Sequence, residues 1–203
     1  MIRGENASPP ASGVRIVYQG TCPKLTTRGR GDLSYELGVE DATGESCIRI
    51  SANVSSGAFS HEWLALSKLR SLLDQVTSQQ KAFSAITMEP LFTRKSANNC
   101  GYLAAILRAE GVLSVLPGKP VTLGLESWTT VTAKITTLSG QGIHLTDHIA
   151  IAAQKRAVEK AQHLANLRST KSTKSTVSPG GTGEDRAGEA DPDAVAEADH
   201  VVQ

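Results

Sequence analysis

Leu33, Tyr35, Leu37 and Val39 alternate with Ser34, Glu36, Gly38 and Glu40, and this period of two constrains the fold more than any other stretch. Only a β-strand with one buried and one polar face sorts residues in that way. Asp41-Ala42-Thr43-Gly44-Glu45 then supplies turn residues, and Cys47-Ile48-Arg49-Ile50-Ser51 follows as a partner. The pattern predicts an antiparallel hairpin over 33–51. Upstream, Val14, Ile16 and Tyr18 alternate with Arg15, Val17 and Gln19 and predict another strand.

The periodicity then changes. Leu66, Leu69, Leu73 and Val76 recur at helical spacing, with Ser60 as the expected cap and Lys68, Arg70 and Asp74 on the other side. A second helix is expected over 97–110, capped by Ser96 and ended by Gly111, with Leu103, Ile106 and Leu107 as its stripe. Pro90 breaks any helix in 80–93. Val112–Leu116, Pro117-Gly118-Lys119-Pro120 and Val121–Leu125 read as a hairpin. The Thr- and Val-rich run 128–138 predicts a further strand. Ala-rich 147–167, capped by Asp147 or Thr146, predicts a last helix with a thin apolar stripe. Strands and helices do not alternate strictly, so the expected class is α+β: antiparallel hairpins packed with two to four helices.

Composition sets the boundaries. Residues 1–13 hold Pro9-Pro10 and little that can be buried. Residues 168–203 run from a Lys/Ser/Thr repeat through Pro179-Gly180-Gly181 into an acidic stretch. Neither segment buries enough to offset about 1–2 kcal/mol of backbone entropy per ordered residue. A disordered lead-in, a globular region over 14–167 and a disordered tail are expected. The globular region has a β-rich part (14–57) and a helix-and-hairpin part (58–167). Residues 1–10 lack the apolar core of a signal peptide, and no apolar run approaches the roughly 18–20 residues that cross a bilayer. A cytoplasmic protein with no membrane partner is the expectation. Cys22, Cys47 and Cys100 are odd in number and far apart, as for free thiols in a reducing compartment.

The net charge of +1 is a sum of unlike parts. Residues 184–203 hold seven acidic residues against Arg186, a net of −6, whereas residues 1–168 carry 18 basic and 13 acidic residues. The body is mildly basic, and an acidic segment masks it.

Two segments concentrate that positive charge. Arg94, Lys95, Asn98 and Asn99 open the 97–110 helix, where the positive dipole end and free N–H groups favour phosphate. Asparagine amides pair with adenine edges, and Lys119 at the hairpin tip and Arg108 add phosphate contacts. A helix ended by Gly and followed by a basic-tipped hairpin is similar in layout to the recognition helix and wing of winged helix-turn-helix domains. That resemblance covers residues 60–125 and implies binding of duplex DNA. The second segment, Lys24-Leu25-Thr26-Thr27-Arg28-Gly29-Arg30-Gly31-Asp32, places Arg28 and Arg30 between glycines.

Other chemistry is thin. His144 and His148 have the spacing of two ligands on one helix face, yet Leu145 stands where a metalloprotease would have Glu, so no metal is implied. No nucleophile elbow, Walker loop or dinucleotide fingerprint occurs, so neither a cofactor nor an enzyme is implied. The expected function is that of a small nucleic-acid-binding or regulatory protein. The alternative is a non-enzymatic protein-interaction or accessory module, with a second copy of the chain among its candidate partners, whose surface is the 147–167 helix and the edge of the β-hairpin.

Overall fold

A computed structural model describes residues 13–25, 31–55, 57–94 and 96–172. Residues 1–12 of the expected lead-in, Arg28, Arg30, Lys95 and the segment 173–203 lie outside the described residues.

Strands β1 (Val14–Pro23), β2 (Asp32–Glu40), β3 (Ser46–Asn53) and β4 (Leu64–Ala65) form an antiparallel sheet in that order. The expected hairpin is present, with Leu37 opposite Ile48 and Glu36 opposite Arg49. Leu33, Tyr35 and Leu37 are all buried, as their alternation requires. The outer face is not simply wet, because Glu36 and Arg49 are buried as well.

Helix α1 (Leu66–Gln79) follows the sheet and buries Leu66, Leu69 and Leu73. It starts later than expected. Ser60 lies before β4, outside any helix, and its backbone N–H donates to Asn99 Oδ1 at 2.9 Å. Around Pro90 the chain forms β5 (Phe83–Ser84) and a 3₁₀ helix (Ala85–Leu91). Helix α2 (Asn99–Ala109) ends at Gly111, with φ +75°. Val112 N–H there bonds to Leu107 O at 2.8 Å and Gly111 N–H to Arg108 O at 3.1 Å. This is a Schellman motif, which glycine adopts without Cβ strain. The hairpin β6 (Leu113–Leu116) and β7 (Lys119–Leu125) comes next, and β7 lies between β6 and β5 in a second antiparallel sheet.

The expected strand over 128–138 is instead helix α3 (Thr129–Gly140), which buries Val131 and Ile135. Trp128, Val131, Ile135 and Leu138 recur at three- and four-residue spacing and pack into the core. Burying that stripe outweighs the β-propensity of the threonines, a scale that spans only about 1 kcal/mol. Helix α4 (His148–Ser172) runs past the expected end at 167. Asp147 caps it, its Oδ1 accepting from Ala150 N–H at 2.8 Å.

The class is α+β, with four α-helices and one 3₁₀ helix among the described residues. A single buried cluster runs from Val17 in β1 through α1 and α2 to Ile135 in α3. The chain separates into two units, Met1–Val158 and Glu159–Gln203, so α4 begins in the first and continues into the second. Among the described residues no helix is long and apolar enough to cross a membrane.

Candidate functional site

Helix α2 does not offer a recognition face. Leu103, Ala104, Ala105, Ile106 and Leu107 are five consecutive residues, at most 1% exposed. At about 100° per residue they span the whole circumference, so α2 is a core helix over 103–107. Asn99 is 1% exposed, and its amide is spent on the framework. Its Oδ1 accepts from Ser60 N–H, and its Nδ2 donates to Arg94 O at 2.8 Å.

What α2 does offer is its N-terminal end. Lys24 Nζ, at the stem of the β1–β2 connection, donates to Ser55 Oγ and lies 5.4 Å from the Tyr102 ring centroid. Asn53 Nδ2 donates to Tyr102 Oη at 3.0 Å and to Gly57 O at 3.5 Å. Gly57 has φ +136°, a backbone conformation that residues with side chains rarely adopt, and a Cβ there would fall 2.9 Å from Asn98 Nδ2. Asn98 Nδ2 and Ser96 Oγ both donate to Ala58 O, at 3.0 and 2.6 Å. Phe59 packs edge-on to Tyr102 and to His61, with centroids 6.2 and 4.7 Å apart.

Arg94 is fixed by its backbone. Its N–H donates to Glu62 Oε1 at 2.7 Å, Thr93 N–H donates to Glu62 Oε2 at 2.9 Å, and the Arg94 side chain is exposed. Burial alone would push the Glu62 carboxyl up, but hydrogen bonds from Ser60, Thr93 and Arg94 hold it at about 2. The two basic segments, 75 residues apart at Lys24 and Asn99, are therefore stitched to one end of α2 through Ser55, Asn53 and Tyr102.

The remaining expected residues lie elsewhere. Arg108 is half-buried near the far end of the 11-residue α2, about 16 Å in length. It flanks Cys22. Burial pushes that thiol up to about 11, while the Arg108 charge pulls the other way. Lys119 is exposed at the tip of the β6–β7 hairpin, beside Gly118 at φ +72°.

Two ionic clusters were not anticipated. Arg49 Nη2 bonds to Glu36 Oε2 at 2.5 Å and Asp147 Oδ1 at 2.7 Å, and its guanidinium lies 4.4 Å from the Trp63 ring centroid. Gln19 Nε2 donates to the other Glu36 oxygen at 2.9 Å. Burial would push the Asp147 carboxyl up, yet the Arg49 bond and the Ala150 N–H hold it below the usual range. On the other face of the sheet, Tyr35 Oη and Lys134 Nζ both donate to Glu110, which is 2% exposed. Burial first, and then the Glu110 carboxylate, push the Tyr35 phenol up, so it stays protonated and donates.

In the first cluster Asp147 Oδ2 and Trp63 Nε1 are buried without a hydrogen-bond partner. An open basin of about 500 Å³ on the outer face, lined by Gln19, Thr21, Ser34, Glu36 and Ser51, has hydrogen-bonding side chains but no nucleophile–base pair. Among the described residues no three His, Cys, Asp or Glu side chains stand together as metal ligands. No known protein family, curated protein or solved structure matches this chain.

Proposed function

We propose that the protein binds nucleic acid through the N-terminal end of α2 and the adjoining β1–β2 connection. The observation that carries this reading is the seat of Lys24 over Tyr102. It anchors Lys24, which opens the 24–32 sequence holding Arg28 and Arg30, to Tyr102 in the first turn of α2, the end of the helix that follows Arg94 and Asn98 in sequence. Cations and backbone N–H groups at a helix start suit phosphate, and Phe59, His61 and Tyr102 are the residue types that stack on unpaired bases. Because α2 is buried, this binding does not use a helix laid in the major groove. Single-stranded substrate fits the site better than duplex.

Fluorescence anisotropy with labelled single-stranded and duplex oligonucleotides at low salt tests the reading. Binding by the native chain, weakened about tenfold in Lys24→Gln/Arg94→Gln, is expected. An unchanged affinity in that variant, or no binding to either oligonucleotide, overturns it.

A second reading, interaction with a protein through α4, rests on a separate observation. Ile151, Val158, Leu164 and Leu167 are 48–55% exposed on that one helix. Val158→Glu/Leu164→Glu that left mass, amide exchange and partner capture all unchanged would remove it.

A further inference from the structure

Every described side chain from Ala153 to Leu167 is exposed, so fifteen consecutive residues of α4 are wet on all sides. The sequence does not suit that state. Ala157, Val158, Ala161, Leu164 and Ala165 recur at three- and four-residue spacing and line one face of the helix. A face of small residues flanked by Val158 and Leu164 lets another segment approach closely.

Charge selects the occupant. Within His148–Ser172 the basic residues are Lys155, Arg156, Lys160, Arg168 and Lys171, and Glu159 is the one acid. Two copies of this helix side by side would bring like charges together along their length, which opposes self-association. Residues 184–203 carry the complementary pattern, with seven acidic residues against Arg186. Ala194, Val195, Ala198, Val201 and Val202 recur there at the same three- and four-residue spacing, between Asp193, Glu197 and Asp199. The chain between, 173–183, contains Pro179-Gly180-Gly181. Eleven residues of random coil have a mean span of roughly 18 Å. The centre of the apolar face near Ala161 is about 16 Å back along α4 from Ser172, so the link reaches it.

We infer that the acidic segment 184–203 docks on the Ala157–Ala165 face of α4 in the same chain. Its carboxylates then meet Lys155, Arg156 and Lys160, and its valines cover the alanines. This rests on α4 alone and is independent of the nucleic-acid reading.

Amide hydrogen exchange of the full chain, compared with a chain ending at Gly183, tests it. At low salt, peptides covering 153–167 are expected to exchange at least about tenfold more slowly in the full chain, and to lose that protection in 0.5 M salt. Lys155→Glu/Lys160→Glu in the full chain should abolish the protection, and reversing Glu197 and Asp199 to Lys in that variant should restore it. Light scattering should give a monomer mass throughout. Equal exchange in the full and shortened chains overturns the inference. So does protection that survives the deletion in a dimer, because a second copy would then be the occupant.

Discussion

Arg49 and Asp147 lie 98 residues apart in sequence and are joined by a 2.7 Å charge-assisted hydrogen bond with both side chains buried. The pair couples the third strand of the sheet to the cap of α4. Asp147 Oδ1 serves both partners at once, accepting from Arg49 and from Ala150 N–H. Glu36, the cross-strand neighbour of Arg49, completes the cluster. Removing the guanidinium would leave two buried carboxylates without a counter-charge. Arg49→Ala should therefore lose about 3–5 kcal/mol in urea unfolding. Asp147→Asn keeps a competent cap and a neutral acceptor and should lose less. Equal losses in the two variants would show that the charge is not what Arg49 contributes.

Trp63 can lie along the outer face only because Gly38 has no side chain. A Cβ at that position would fall 2.6 Å from Val14 Cγ1, 2.9 Å from Arg15 O and 3.1 Å from the Trp63 ring. The Arg15 carbonyl belongs to the paired neighbouring strand and cannot give way cheaply. Gly38→Ala should cost about 1–3 kcal/mol, the usual range for overpacking. It should also change the near-ultraviolet signal of Trp63. A neutral or stabilising substitution would mean that β1 shifts freely, against its register with β2.

The 33–51 hairpin, the Gly111 helix stop and the Asp147 cap were legible because each depends on residues within a few positions of one another. The buried state of α2 was legible too, in five apolar residues running from Leu103 to Leu107, once the alanines are counted with the leucines. At α3 two local signals competed, the β-propensity of the threonines and the helical spacing of Trp128, Val131, Ile135 and Leu138. Tertiary burial decided for the second. The meeting of Lys24 with Tyr102 and of Arg49 with Asp147 had no local signal at all. Both are products of chain topology. Arg49 opposite Glu36 follows only after the hairpin register is fixed.

Glu62 links stability to acid pH. Its folded pKa of about 2 lies below the ordinary value of about 4.3. As pH falls the unfolded chain takes up the proton first, so the stabilisation is complete above about pH 4.3 and is lost as pH falls toward 2. Urea midpoints followed by circular dichroism should decline over that window. Glu62→Gln should be less stable at pH 7 and lose less on acidification. Asp147, also held low, keeps some slope in the variant. Parallel curves for the two proteins would show that Glu62 does not carry the effect.

Tyr35 gives the opposite limb. Its phenol is raised above the ordinary value of about 10 by burial and by Glu110, so the unfolded chain ionises first as pH rises. That contribution is complete below about pH 10 and declines above it. Tyr35→Phe removes one donor from buried Glu110 and should cost about 1–3 kcal/mol at neutral pH. It should also flatten the alkaline decline. A steep decline that persists in the variant would assign it to the thiols of Cys22 and Cys47, which burial pushes to about 11.

Salt dependence separates the end of α2 from the β6–β7 hairpin as a phosphate-contacting surface. For a single strand, each neutralised phosphate adds about 0.7 to the slope of log affinity against log salt. If Lys24 and Arg94 each neutralise one phosphate, Lys24→Gln/Arg94→Gln should reduce the slope by about 1.4. Lys119→Ala should leave it unchanged, since Lys119 stands at the tip of a hairpin in the other sheet. A slope that falls in Lys119→Ala and not in the double variant would move the interface to the hairpin. The seat of Lys24 over Tyr102 would then be packing at the end of a buried helix and no part of a binding surface.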